Sequence, residues 1–238
     1  MKILVVGGAG YVGDILWPAL EAEHESFCFD RCKVERLGTR SIVGNVSDDA
    51  AVREAVKSMD GVIYLAKGES PDSPKPFNDI DEAFNVNVRG AYRFLQAGLE
   101  ADVSCFVYPS SIGIIRDRPA DEPVDESKPP DVWSPYAMTK RLGEHLCAAA
   151  ATQFPDATVI VLRLMAPRNE TDFRRDQKQA CGSVVTSIGP NDVRSLFLAA
   201  INCSKPGLHI LQATGDLQGL RFPNTRATAL LDWHPLGG

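Results

Sequence analysis

An α/β fold built on a doubly wound parallel sheet is predicted by three features of this 238-residue chain. Short apolar runs alternate with helix-spaced runs across residues 2–164, the pattern of successive β-α-β units. A glycine-rich turn, Gly7-Gly8-Ala9-Gly10-Tyr11-Val12-Gly13, closes the first apolar run and opens the first helical one. The two long Pro-, Ser- and Asp-rich stretches, residues 67–79 and 115–135, follow the fourth and fifth apolar runs. Right-handed crossovers gather the loops after strands one, four and five on one edge of such a sheet, at the switch point where ligands bind.

Each element has a local justification. Residues 2–6 run apolar into the glycines, which suits a strand buried on both faces. Residues 11–23 set Val12, Ile15, Leu16 and Leu20 on one helical side, with Pro18 awkward inside the run. Residues 26–29 form a second strand ending at Asp30, and residues 41–43 a third. Residues 48–58 read as a helix through Ala51, Val52, Ala55 and Val56. A fourth strand at 62–66, a long helix at 80–100, a fifth strand at 103–108, a helix at 134–152 and a sixth strand at 158–164 follow. Loops as long as 67–79 and 115–135 are usually functional or disordered in a compact domain. After Leu164 the alternation stops. Residues 166–182 are polar, with Arg168, Arg174, Arg175 and Lys178. A helix at 191–201, a short strand at 208–212 and a terminal helix at 225–231 complete the chain. The expected organisation is residues 1–164 as a dinucleotide-binding domain, and 165–238 as a small substrate-binding lid with elements returning to the core.

Bulk composition narrows the function. Hydrophobic residues make up 44% and charged residues 24%, with net charge -6 and no basic run, so nucleic acid is not an expected partner. No apolar run approaches the roughly 18 residues of a membrane span. The N-terminal apolar run is too short for a signal peptide, and a cytoplasmic location is expected. The 6 cysteines form no Cys-x-x-Cys pair and the 4 histidines are scattered, so reduced thiols and no metal site are expected.

Two groups of residues carry chemistry. The glycine turn must be tight and must let phosphate oxygens reach backbone N–H groups, which Gly7, Gly10 and Gly13 permit. The helix opening at Tyr11 and Val12 offers its positive end to a pyrophosphate. Asp30, ending the second strand, accepts from adenosine ribose hydroxyls and repels a 2′-phosphate, favouring NAD over NADP. Arg31 follows at once and leaves NADP open. Further on, Tyr136 and Lys140 lie one helical turn apart, after Ser110-Ser111. A free tyrosine, with a pKa near about 10, is a poor base at neutral pH, but a lysine charge beside it favours the phenolate. A serine hydroxyl can hold a substrate hydroxyl toward that oxygen while hydride leaves carbon for a nicotinamide.

With these motifs the chain resembles an extended short-chain dehydrogenase/reductase, of the NAD-dependent epimerase/dehydratase family with a Rossmann fold. The glycine turn and Asp30 match the family's cofactor motifs. Its adenine-contacting Asp-Val pair appears as Asn45-Val46, and its Leu-Ala-Ala run beside the cofactor as Leu65-Ala66-Lys67. That lysine is unexpected and could reach cofactor phosphates or an acidic substrate, or point into solvent. The family's Asn-Val-x-Gly motif is Asn87-Val88-Arg89-Gly90, whose Asn supports the active-site helix. By spacing, Ser111 is the expected substrate-contacting serine and Ser110 the second choice. The layout, including Lys67-Gly68-Glu69-Ser70, is similar to uronate dehydrogenases, but Ile112-Gly113 stands where those enzymes carry Asn-His. Arg174 or Arg175 could still clamp a carboxylate. The resemblance implies an NAD-dependent oxidoreductase acting on a hydroxyl of a small sugar or sugar-acid-like substrate. An NAD-retaining nucleotide-sugar epimerase or dehydratase is the second reading, and a non-catalytic dinucleotide-binding regulator the third. A homodimer through the two long helices is expected by analogy.

Overall fold

The computed structural model describes residues 1–68, 78–115, 119, 122–180 and 185–237. Most of the predicted loop 67–79, with Glu69 and Ser70, lies outside the described residues, as do Cys181 and part of the loop 115–135.

Seven strands form one parallel sheet: β1 (Lys2–Val6), β2 (Glu25–Asp30), β3 (Ser41–Val43), β4 (Gly61–Tyr64), β5 (Cys105–Ser111), β6 (Thr158–Leu164) and β7 (Gly207–Ala213). Their order is β3-β2-β1-β4-β5-β6-β7, so the direction of winding reverses between β1 and β4. The short predicted strand at 208–212 is therefore a full edge strand, paired along all of β6.

Alternation along the strands feeds two cores. Ile3 and Val5 pack with Leu16, Trp17 and Phe197 on one face. Leu4 and Val6 pack with Phe94, Tyr108 and Cys147 on the other. The first face is covered by α1 (Tyr11–Glu23) and α7 (Pro190–Ile201), with α8 (Thr225–Leu231) beyond them. The second is covered by α2 (Asp49–Ala55), α4 (Ala91–Glu100) and α5 (Pro135–Gln153). Pro18 sits inside α1 without ending it. Among the described residues no helix is long and apolar enough to cross a membrane.

Two expectations are corrected. The single helix predicted at 80–100 is three segments: α3 (Asn78–Phe84), a π-type turn (Asn85–Gly90) and α4. Tyr64 explains the widened turn, because its hydroxyl donates to the Val86 carbonyl at 2.6 Å. A side chain inserted into the ladder opens a helix in this way. Gly90 makes room for it, since a Cβ there would lie 2.4 Å from the Tyr64 oxygen. The polar run after Leu164, to which the sequence reading assigns no element, contains α6 (Glu170–Ala180). Only Phe173 of α6 is buried, so no apolar stripe announces the helix. Ion pairs tie its turns instead: Arg174 with Glu170 at 2.7 Å, Arg175 with Asp172 and Arg168 with Asp176, both at 2.8 Å.

Candidate active site

A cleft of about 1360 Å³ opens at the C-terminal edge of the sheet, over the switch point. Its floor is the glycine turn. Gly7 has φ 82°, and a Cβ there would lie 2.4 Å from the Ala66 nitrogen, so only glycine lets β1 end this close to the β4 loop. A Cβ on Gly13 would lie 2.2 Å from the Gly8 carbonyl oxygen. Trp17, fully buried, supports the turn from behind by donating its indole N–H to that carbonyl at 2.8 Å.

Gly10 is the N-cap of α1 and supplies no side-chain cap. The first N–H groups of a helix have no intrahelical partner, and here that end, with Gly10, Tyr11 and Val12, faces the cleft. Asp30 stands opposite. One of its oxygens accepts from the Ala9 N–H and the other from the Cys32 N–H, each at 3.0 Å. This donor set fits a dinucleotide: an uncapped helix end suits a pyrophosphate, and a fixed carboxylate suits ribose hydroxyls. Arg31 also lines the cleft, paired with Glu82 at 3.2 Å. Val46, Leu65 and Ala66 form apolar wall. Asn45 lines it too, but its side-chain oxygen is occupied by the Ser47 N–H and hydroxyl at 3.0 and 2.9 Å.

The other half of the cleft is built on α5. Ser134 caps the helix by accepting from the Ala137 N–H at 3.2 Å, and Pro135 follows in the first turn. Tyr136 and Lys140 then fall on one face and both line the cleft. Lys140 is buried, and its ammonium donates to the Pro109 carbonyl at 2.8 Å. Burial, helped by the charge of Lys67, lowers its pKa to about 8, while Cys147 and Glu144 oppose the shift.

The two serines divide their work. Ser111 ends β5 and lines the cleft, its hydroxyl oxygen accepting from the Gly113 N–H at 3.0 Å. Ser110 donates to Glu144 at 2.6 Å. Glu144 receives both Arg163 Nε and Nη2 at 2.9 Å, a buried two-pronged pair. Asn87, 1% exposed, donates to Thr139 of α5 at 3.1 Å and accepts from the Gly68 N–H at 2.8 Å. It joins the β4 loop to the helix carrying Tyr136.

The structure separates three expected substrate residues from the cleft wall. Ile112 turns into an apolar cluster with Ile114, Val124 and Phe222, and the adjacent Gly113 lines the wall. Arg174 and Arg175 are exposed and paired along α6. Arg168 and Asp172 reach the wall instead. Tyr11 meets them there: its hydroxyl donates to Asp172 at 2.7 Å and accepts from the Asn169 N–H at 2.8 Å, fastening α6 to the glycine turn. Glu144 was also missed from sequence. Its spacing of two turns from Tyr136, and the unexplained Arg163 in an apolar strand, are the signals that point to it.

A glycine turn and a Tyr-Lys-Ser set facing one cleft of a parallel sheet define a short-chain dehydrogenase/reductase. The sequence matches the NAD dependent epimerase/dehydratase family over residues 3–188, and the chain belongs to that family. It is 29% identical to the L-arabinose 1-dehydrogenase (NAD(P)(+)) of Haloferax volcanii over 90% of this chain and 89% of that one. It is 33% identical to the UDP-glucose 4-epimerase of Halalkalibacterium halodurans, over 63% of this chain and only 47% of that enzyme. In fold it is similar to a short-chain dehydrogenase/reductase superfamily protein from Agrobacterium tumefaciens with bound NAD, at TM-score 0.78 and 22% identity, covering 99% and 92% of the two chains. The glucuronic acid dehydrogenase of Chromohalobacter salexigens is likewise similar, at TM-score 0.78 and 23% identity over 98% and 84%.

Proposed function

We propose that this protein is an NAD-dependent dehydrogenase that oxidises a hydroxyl of a small sugar or sugar-acid-like substrate, with Tyr136 as general base. The observation that carries this reading is the single cleft shared by Tyr136, Lys140 and Ser111 with the glycine turn and Asp30. Near-complete mutual coverage with an arabinose dehydrogenase supports it. The uncapped end of α1 and Asp30 would hold NAD, with NADP second, and bound NAD supplies the nicotinamide that accepts hydride. Ser111 orients the substrate hydroxyl toward Tyr136. The tyrosine oxygen takes its proton, and the Lys140 charge stabilises the phenolate beforehand. In the same reading the start of the region 165–238 covers the substrate, with Arg168 and Asp172 at the wall, while α7 and β7 return to the core. The protein acts in the cytoplasm, as a homodimer through α4 and α5.

Lys140 sets the high-pH limit of this chemistry. Its ammonium persists below its pKa of about 8 and loses its proton above it. The support for the phenolate is therefore present at lower pH and lost as pH rises through that value. A pH profile of kcat/KM should fall on the alkaline side near there, and a flat profile to pH about 10 would remove Lys140 from the role.

A nucleotide-sugar epimerase is the second reading, supported by the half-length epimerase match. NADH formation on a panel of uronic acids, aldoses and polyols separates the two. Accumulation well beyond one NADH per chain is expected. NADH that never exceeds one equivalent, with NAD retained on the protein, favours the epimerase.

A further inference from the structure

Lys67 is a charged cleft residue whose one part so far is to help burial lower the pKa of Lys140. The other cations of the wall are matched: Arg31 by Glu82, Arg93 by Asp49, Arg168 by Asp176, Arg89 by the Asn85 side chain and Lys140 by the Pro109 carbonyl. Among the described residues no acid forms an ion pair with Lys67.

Its position is built. Leu65 N–H donates to the Val6 carbonyl at 2.7 Å on one side. On the other, Gly68 N–H donates to buried Asn87 at 2.8 Å. Gly68 also sits so close to α3 that a Cβ would lie 2.4 Å from the Glu82 carbonyl oxygen. Held from both sides, Lys67 places its ammonium 5.5 Å from the centre of the Tyr136 ring. The two cleft lysines stand near one another: the charge of Lys67 acts on Lys140, whose ammonium lies 5.1 Å from the centre of the Tyr108 ring. Glu144, one helical turn beyond Lys140, is already occupied by Arg163 and Ser110. An anion arriving with the substrate would balance the excess positive charge.

We propose that Lys67 selects the substrate by taking a carboxylate of the incoming sugar, so that the cleft prefers a sugar acid to the neutral sugar of the same ring. This rests on the dehydrogenase reading above and narrows it. The same ammonium chemistry would serve the pyrophosphate of NAD, so the test needs separate arms.

The first arm compares wild type with Lys67→Met and Lys67→Arg on galacturonate and galactose, reading kcat/KM by NADH formation. Read below the Lys140 pKa of about 8, where that ammonium is charged with or without Lys67, Lys67→Met is expected to lose about 30-fold on the acid, the size of a lost hydrogen bond to a charged group, and little on the neutral sugar. Lys67→Arg should keep the preference. Equal losses on both sugars, or none, would overturn the proposal. The second arm measures galactarate binding to the NADH-loaded protein by calorimetry, which needs no turnover. Binding weakened about 30-fold in Lys67→Met supports the site. Equal binding by both proteins, or no binding by wild type, overturns it. The third arm measures NAD affinity, and its loss in Lys67→Met with acid preference intact would assign Lys67 to the cofactor. If no sugar yields NADH but galactarate binding still depends on Lys67, the dehydrogenase reading fails and the anion site stands.

Discussion

Tyr136→Phe is expected to lower turnover by about 10²–10⁴-fold, the contribution of a positioned general base, while NAD binding stays at the wild-type level. The substitution removes one oxygen. The helix start that positions residue 136 is held by other groups: Ser134 caps through Ala137 N–H, and Thr139 donates to the Tyr136 carbonyl at 2.9 Å. The cofactor groups lie on other elements, in the turn after β1 and at the end of β2. Steady-state NADH formation and calorimetric NAD binding read the two effects separately. Turnover within a few-fold of wild type would take the general-base role from Tyr136, and a parallel loss of NAD binding would make its role one of cofactor retention.

The second large effect is on stability. Glu144→Ala should destabilise the protein by about 3–5 kcal/mol, because it strands the buried Arg163 guanidinium without its counter-charge. Both side chains are almost fully enclosed, at 4% and 8% exposure, so water cannot compensate. Ser110 loses its acceptor in the same step. For a chain of this length the melting temperature should drop by roughly 6–20 °C. Replacing both partners by apolar residues, Glu144→Leu with Arg163→Met, should recover much of the loss, since the desolvation cost of the charges disappears with them. Urea unfolding of the wild type and the two variants checks this. A cost under about 1 kcal/mol for Glu144→Ala would mean the pair behaves like an exposed one.

These two outcomes also mark where sequence was legible. The cofactor end could be read because backbone geometry at Gly7 and Gly13 forbids any side chain, and a forbidden side chain leaves a glycine in the text. Tyr136 and Lys140 could be read because helical spacing alone places them together. The Glu144–Arg163 pair joins α5 to β6, and no local period encodes a contact between two elements. The roles of Ser110 and Ser111 turned on where β5 ends. The strand runs to Ser111, beyond the predicted 108, and neighbouring strand residues face opposite ways. α6 was hidden because a helix held by ion pairs carries no apolar stripe. That is also why Arg174 and Arg175 looked available while Arg168 was overlooked. Asn87 and the glycine after Lys67 were both visible, but only the fold shows that one holds the other.

The most direct test of the account is the fate of deuterium at the hydroxyl-bearing carbons of the sugar. Aldoses and uronic acids deuterated at those carbons are incubated with the protein and excess NAD, and the free cofactor is examined by mass spectrometry. Transfer by a dehydrogenase acting through Tyr136 puts the label into reduced cofactor in solution, turnover after turnover, with an oxidised sugar as product. Label that remains in the sugar under every substrate, while nucleotide sugars emerge with an inverted centre and the cofactor stays bound, would contradict the account and make the protein an epimerase.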